Sequence, residues 1–501
     1  MKLEFLLVSI GVQFNVPDVD VKSISLCTET VERGTLYFAI SEDSVARASH
    51  IKLAISNGAV AIITVGDEVS DFIPIINLSK SKKQYIDILA IFYQRYNTLK
   101  YYIGVTGTNG KTTVVNWIRY LAKNLGVDIG CIGTLGVDFS DVQSKSVLTT
   151  PDIVSLYSIL DSFAMKNAMG AAIEVSSHGL SQGRVEGVPL SIGVFTNISQ
   201  DHLDYHCTMD EYFHAKTKMF TDFNLKYAIF NLDDEKIKNF LEYEYRGSAK
   251  VIGYSTKADV SCGRCNTIVR ADDIQINRTS TKFTLHINNE NFCCEIPTIG
   301  LYNVANVLAA VSAIYATGLE ITHQITVSLS SLPTVPGRLE LVASSTITPS
   351  VWVDFAHTPD GLDNLLQGAR EACNKKLVVV FGCGGDRDRN KRPKMLAAVL
   401  KYADKIYITQ DNSRTEKFSK ILTDITFIHG SDDPKINVIS DRREAIAAAI
   451  SNAEPDDFVV IAGRGHEAVQ DLGAIKLEYT DSDAVKSTIA KCTVREKIND
   501  Y

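Results

Sequence analysis

The ten residues from Gly104 to Thr113, Gly-Val-Thr-Gly-Thr-Asn-Gly-Lys-Thr-Thr, follow the apolar run Tyr101-Tyr102-Ile103 and lead into a segment of helical period. Strand, glycine-rich turn and helix in that order read as a phosphate-binding loop. Gly104, Gly107 and Gly110 remove side chains so that backbone N–H groups, among them those of Thr108 and Asn109, can converge on phosphate oxygens. The dipole of the following helix adds positive potential there. Lys111 supplies a point charge for the outer phosphates, Thr112 a hydroxyl for Mg²⁺, and Thr113 continues the loop into the helix. The strict pattern G-x-x-x-x-G-K-[ST] is not met, because Val105 stands where its first glycine should be. The competing reading is a glycine-rich turn with a solvated lysine; the order of elements favours a nucleotide-using enzyme.

The loop needs a strand behind it and a helix in front. Val115, Ile118, Leu121 and Leu125 recur at helical spacing and Gly126 closes the helix. From Tyr101 to about Pro333, strand candidates at 101–105, 171–175, 192–196 and 227–232 alternate with helical periods, which implies a mostly parallel sheet covered by helices. Beyond the turn-rich Leu332-Pro-Thr-Val-Pro-Gly337 the pattern restarts with strands at 351–355, 377–381, 405–409 and 458–462, as in a Rossmann-like domain. Residues 1–92 form a smaller α/β unit, with strands at 34–40 and 59–65, a helix around 46–57, and a helix or strand at the start. The expected domains are therefore 1–92, 93–333 and 334–501.

Length agrees, since 501 residues at about 150 per domain give roughly three domains. A hydrophobic content of 45% and a charged content of 22% are those of a globular protein. With 51 basic against 59 acidic residues the net charge is −8, and no basic stripe is present to neutralise a nucleic-acid backbone. The short apolar stretch at the start contains Glu4 and lacks a basic leader with a small-residue cleavage site. No run approaches the roughly 18 apolar residues of a membrane span. A cytoplasmic monomer handling small molecules is expected, with neither nucleic acid nor membrane as partner. Ten cysteines are then reduced thiols. Cys262-Gly-Arg-Cys265 with Cys293-Cys294 could be read as zinc ligands, but adjacent residues of a strand point to opposite faces, so zinc is not expected.

Thr106-Gly-Thr-Asn-Gly-Lys-Thr-Thr113 resembles the ATP loop of the Mur ligases, and companion motifs follow in order. They are Thr149-Thr-Pro-Asp152, Glu174-Val-Ser-Ser-His178, Asn197-Ile-Ser-Gln-Asp-His-Leu-Asp-Tyr-His206, Tyr212-Phe-His-Ala-Lys216, Asn303-Val-Ala-Asn306, Gly337-Arg-Leu-Glu340, Asp354-Phe-Ala-His-Thr-Pro359, Gly382-Cys-Gly-Gly-Asp-Arg-Asp388 and Gly463-Arg-Gly-His-Glu467. The resemblance covers almost the whole chain and is greatest to the MurE branch, which adds the third residue of the peptidoglycan stem peptide. It implies a three-domain α/β architecture, with a central P-loop ATP-binding parallel sheet and a C-terminal Rossmann-like domain.

The resemblance also implies chemistry. ATP turns the acceptor's carboxylate into an acyl phosphate, and the incoming amine displaces phosphate through a tetrahedral intermediate. Lys111, Glu174, His202 and Lys216 match the family's catalytic residues; Thr112, Glu174, His202 and Lys216 match its Mg²⁺ ligands, Lys216 after carbamylation by CO₂. Asn303 and Asn306 match its adenine contacts, Asp354 its ribose contact and Arg338 a cation that reaches the phosphates. Thr149, Thr150, Ser176, Gln182 and Arg184 match residues that hold the sugar-peptide acceptor, whereas Arg387, Asp411, Asn412, Arg414, Gly463 and Glu467 match those around the incoming amino acid. The implied activity is cytoplasmic addition of meso-diaminopimelate, or else L-lysine, to UDP-N-acetylmuramoyl-L-alanyl-D-glutamate in cell-wall precursor synthesis.

Four departures bear on this. Cys27-Thr-Glu-Thr-Val31 stands where the branch usually has Asp-Ser-Arg beside the uridine pocket, and Ser41-Glu-Asp-Ser-Val-Ala-Arg47 replaces a glycine-rich segment. Asp411-Asn-Ser-Arg414 keeps the arginine that can pair with the distal carboxylate of diaminopimelate but has Ser413 for proline. Arg464 stands for a lysine. Two alternatives stay open: a related ligase of a natural-product or storage-peptide pathway with another acceptor, and an ATP-binding pseudoenzyme. Retention of Lys111, Glu174, His202 and Lys216 together opposes the second, because clustered charges are costly to keep without use.

Overall fold

The structure, a computed structural model, describes residues 1–12, 17–78, 82–144, 148–345, 348–430 and 432–499. They fall into two units: 1–104 with 128–191, and 105–127 with 192–501.

In the first unit, Thr35–Ala39 and Ala61–Thr64 are buried along their whole length and form the inner strands of a four-stranded parallel sheet edged by Ser23–Ser25 and Ile75–Asn77. The helix Ser44–Ser56 starts where the Asp43 carboxylate accepts from the N–H groups of Val45 and Ala46. The opening apolar stretch is a helix, Leu3–Ser9, with Leu3, Leu6 and Leu7 inward. Gly170–Glu174 pairs in parallel with Ile129–Gly133, which continues into the antiparallel strands Gly136–Phe139 and Val142–Ser144. The strand Tyr101–Thr106 is buried throughout, and the chain passes through it to the second unit. Gly104 lies inside that strand, so the glycines that shape the loop are Gly107 and Gly110 alone.

In the second unit, Ile192–Phe195, Tyr227–Asn231, Lys250–Ser255 and Thr267–Ile276 pair in parallel, as the strand–helix alternation predicts. The next two strands, Thr281–Ile287 and Glu290–Ile296, depart from it by pairing antiparallel. Burial along Thr281–Ile287 alternates strictly, so only one face is covered, and Asn288 at φ +53° turns the chain straight back with no room for a crossover helix. Cys293 is exposed and Cys294 buried, on opposite faces as expected.

The last sheet runs in the order Glu340–Ala343, Ser350–Asp354, Phe458–Ala462, Leu377–Phe381, Lys405–Ile408, Ile436–Val438, parallel apart from its first strand. Val351 and Val353 join one hydrophobic core and Trp352 the other. Helices therefore cover both faces, which is why these strands read as unbroken apolar runs. No helix among the described residues is long and apolar enough to cross a membrane.

One buried cation in this part gives a pH prediction. Arg392 is fully buried and pairs with Glu416 and Asp424, each at 2.7 Å. Its hydrogen bond to Glu416 holds that carboxyl at about 2, below the ordinary 4.5. A depressed carboxyl contributes stability above its unfolded value and loses it as pH falls through the folded one. The parent should lose melting temperature between about pH 4.5 and pH 2, and Glu416→Gln should flatten that limb in thermal melts.

Candidate functional site

The loop after Tyr101–Thr106 turns at Gly107, φ +145°, and Gly110, φ +86°. A Cβ on Gly107 would lie 1.9 Å from Thr196 Oγ1, and one on Gly110 2.4 Å from Asn306 Oδ1. Only glycine lets the backbone pass so close. The loop is clamped from behind: Thr108 N–H donates to Asn197 O, Asn109 N–H to Asn197 Oδ1, and the Thr196 hydroxyl to Asn109 O. Lys111 Nζ folds over it, donating to Gly107 O and Thr108 O at 2.8 Å. Gly107→Ala should therefore weaken binding of ADP by at least about tenfold in calorimetry, because something in the clamp must move.

The helix Lys111–Asn124 begins at this turn, with Thr112 and Thr113 buried. Thr112 Oγ1 accepts from Arg338 Nη2 at 3.0 Å, and the guanidinium lies over the Phe355 ring at 4.5 Å. Asn303 and Asn306 share one face of the helix Leu301–Ala316, and Asp354 ends the strand Ser350–Asp354. Its carboxylate accepts from the N–H groups of Leu339 and Ala356; burial pushes its pKa up, against the pull of Arg338. A cleft of about 340 Å³ is lined by Asn109, Gly110, Thr113, Asn303, Asn306, Arg338 and Asp354 together.

Lys216 is 1% exposed on the helix Met209–Thr221. Its Nζ donates to Gly107 O at 2.8 Å and lies 4.4 Å from the Tyr212 ring centroid. Burial, reinforced by the charge of Lys111, drives its pKa well below the ordinary value. His202, half-exposed, sits at φ +53° with Nε2 3.4 Å from Asp201 Oδ2.

The acceptor set gathers in the first unit. Glu174, 1% exposed at the end of its strand, accepts from Thr134 N and Thr134 Oγ1, and Thr134 Oγ1 also donates to Thr149 Oγ1. Thr150 Oγ1 donates to Glu174 O and meets Ser176 Oγ at 3.0 Å. Ser176 caps the helix Ser177–Ser181. Arg184 donates to Thr150 O and, through Nε and Nη2, to Gln182 Oε1.

The amino-acid set gathers in the second unit. Asn412 Nδ2 donates to Glu467 Oε2 at 2.6 Å, and Asn412 N–H to Asp411 Oδ1. A Cβ on Gly463, φ +120°, would come within 2.6 Å of Asp411 Oδ2. Burial raises the Glu467 carboxyl and the charge of Asp411 adds to the shift. Arg414, at φ +50°, donates through Nη1 to Gly385 O, while a Cβ on Gly384 would lie 3.2 Å from that Nη1 and 3.8 Å from Arg387 Cγ. Arg387 itself lines an open pocket of about 920 Å³ with Asp204, Asp386 and Arg389.

The sequence profile described as "Mur ligase middle domain" matches residues 105–314, and "Mur ligase, glutamate ligase domain" matches 337–465. A UDP-N-acetylmuramoyl-L-alanyl-D-glutamate--2,6-diaminopimelate ligase of Oceanobacillus iheyensis is 36% identical over 489 residues, 96% of each chain. One of the same name from Nostoc sp. is 36% identical over 513 residues, 99% of this chain and 100% of that one. The chain belongs to the Mur ligase family, in its MurE branch. A solved structure of a ligase with that name matches at 30% identity and a TM-score of 0.69, over 98% of this chain and 99% of that one. The Thermotoga maritima MurF ligase in complex with ADP, 18% identical with a TM-score of 0.64 over 94% and 97% of the two chains, shares the fold.

This Mur ligase is an ATP-dependent enzyme of the three-domain α/β fold. Its residues fit ATP: the glycine turn leaves room a Cβ would fill, Arg338 and Asn306 line the same cleft as Gly110, and Lys111 lies over the loop. Sequence reasoning passed over Asp201, although the motif around it was recognised through His202. Burial alone would raise this carboxyl, yet His357, His202 and Lys391 together bring it to about 2. His357 and Lys391 lie far along the chain, so spacing gave no hint of them. Arg464 is no pocket residue: it is fully buried, bonded to Asp481 Oδ1 at 3.2 Å and to Glu467 O, with Arg442 on the other side of Asp481. In the N-terminal departure, Glu29 Oε2 accepts from Cys27 Sγ at 2.6 Å, and Arg47 is a clamp on Glu68 and Ser41 O.

Proposed function

We propose that this Mur ligase joins meso-diaminopimelate to UDP-N-acetylmuramoyl-L-alanyl-D-glutamate. The observation that carries the substrate reading is Arg414 beside Arg387 around Gly384, with Asn412 bonded to Glu467 nearby: a cationic end for a distal carboxylate and an anionic end for an ammonium. The relatives' names point the same way.

ATP supplies the phosphoryl group that makes the acceptor's carboxylate an acyl phosphate open to attack by an amine. In the second unit, Thr112, His202 and Lys216 are residues that would hold Mg²⁺, which supplies positive charge against the phosphates. The chain's own part begins with Lys216. Burial and the charge of Lys111 lower the pKa of its amine; in the neutral form the amine adds CO₂ through nitrogen and loses a proton, so that it becomes a carbamate anion. Lys111, over the phosphate loop, and Arg338, on Thr112, offset phosphate charge, and Asn303 and Asn306 offer amides to the base. Thr149, Thr150, Ser176, Gln182 and Arg184 orient the acceptor, with Arg184 the partner for a pyrophosphate or carboxylate.

Phosphate release from the purified protein with ATP, Mg²⁺, bicarbonate, the UDP-linked dipeptide and diaminopimelate tests this; background rates in that mixture would refute it. A second acceptor chemistry is favoured by one observation. Glu29 stands where an arginine would meet the uridine end, and its carboxylate is engaged by Cys27. Release with a dipeptide lacking UDP, and none with the UDP-linked one, would establish that reading.

A further inference from the structure

Cys262-Gly-Arg-Cys265 takes no part in the ligase chemistry. It forms a tight turn between the strands Lys250–Ser255 and Thr267–Ile276, with Cys265 N–H donating to Cys262 O at 3.3 Å. Such a turn keeps its end Cα atoms within about 7 Å, the span a disulfide bridges. Arg264 pins the tip by donating to Tyr245 O at 2.8 Å. Both thiols are half-buried, within reach of a small molecule. Cys293 and Cys294, the other adjacent pair, point apart.

The turn packs on a strand that borders the nucleotide cleft. A Cβ on Gly253 would lie 2.8 Å from Cys265 Sγ, so the thiol packs on the backbone of that strand. The next residue, Tyr254, lines the cleft and donates its hydroxyl to the carbonyls of Phe195 and Thr196. Thr196 in turn donates to Asn109 O in the phosphate loop.

We propose that Cys262 and Cys265 form a redox-active dithiol that closes to a disulfide by exchange with an external disulfide, and that closure weakens nucleotide binding. The Cys262 thiolate attacks one sulfur of the external disulfide and expels the first thiol. Cys265 then gives up its proton, attacks Cys262 Sγ and expels the second. The protein dithiol is oxidised and the external disulfide is reduced to two thiols. Burial, with Cys262 beside it, keeps Cys265 protonated, which makes Cys262 the attacking partner. Drawing the two sulfurs to within about 2.05 Å of each other shifts Cys265 against Gly253 and, through that strand, the neighbouring Tyr254.

The full chain, treated with glutathione disulfide or with dithiothreitol, is mapped by peptide mass after a protease that spares Arg264, and ADP affinity is measured in both states. The expected result is loss of two hydrogens between Cys262 and Cys265 and ADP binding at least about fivefold weaker, restored by reduction. Cys265→Ser and Cys262→Ser should bind ADP as the reduced parent does and should not respond to oxidant. Absence of that crosslink, unchanged ADP affinity in the crosslinked protein, or the same loss in either serine variant would overturn the proposal. Because ADP binding is read without acceptor or amino acid, failure here is separate from failure of the diaminopimelate assignment.

Discussion

Lys216→Ala is expected to lower ligation by at least about a hundredfold, the scale of removing a charge-stabilising group from an active site. The amine is fully enclosed, bonded to Gly107 O and set against Tyr212, with Lys111 as its charged neighbour. An ammonium there is desolvated and repelled by Lys111, which lowers the pKa and favours the neutral amine, the form that reacts with CO₂. Alanine also removes buried volume, which could mimic the effect through misfolding. Lys216→Met keeps the volume and should lose activity equally while melting near the parent temperature. Partial rescue of the alanine variant by short-chain carboxylates would support the carbamate. Full activity in either unrescued variant would refute it.

Arg414→Ala should raise KM for diaminopimelate strongly, costing about 2–5 kcal/mol as in truncating one partner of a buried charge pair. The guanidinium donates to Gly385 O at 2.7 Å, which orients it before substrate arrives. Lysine has the same reacting amine without the distal carboxylate, and should lose little or gain. Glu467→Gln should impair both amino acids, because its partner would be the ammonium they share. Equal losses for the two in Arg414→Ala would show that Arg414 does not read the side chain, which steady-state kinetics with each amino acid decides.

Much of the site was legible because it is local. Gly107 to Thr113 act through backbone geometry within one turn, and spacing alone specifies that turn. The parallel strands of the last sheet were legible for a related reason: both faces are covered, so whole runs such as Leu377–Phe381 are apolar. The ribbon Thr281–Ile296 was not, since a strand covered on one face alternates and its pairing partner lies elsewhere in the chain.

The sequence by itself determined the phosphate loop and the family, because each rests on short motifs whose chemistry is carried by residue identity. Only the tertiary structure decided how those residues are charged. Lys216 is a surface-type residue by composition, and enclosure beneath Tyr212 beside Lys111 is what lowers its pKa. Asp201 is one carboxylate among many until His357 and Lys391, from distant segments, surround it. Arg464 stands in sequence beside the Glu467 motif, yet Asp481, which it shares with Arg442, holds it in the interior. Desolvation and charge pairing depend on what packs around a group, and packing joins residues that the sequence keeps far apart.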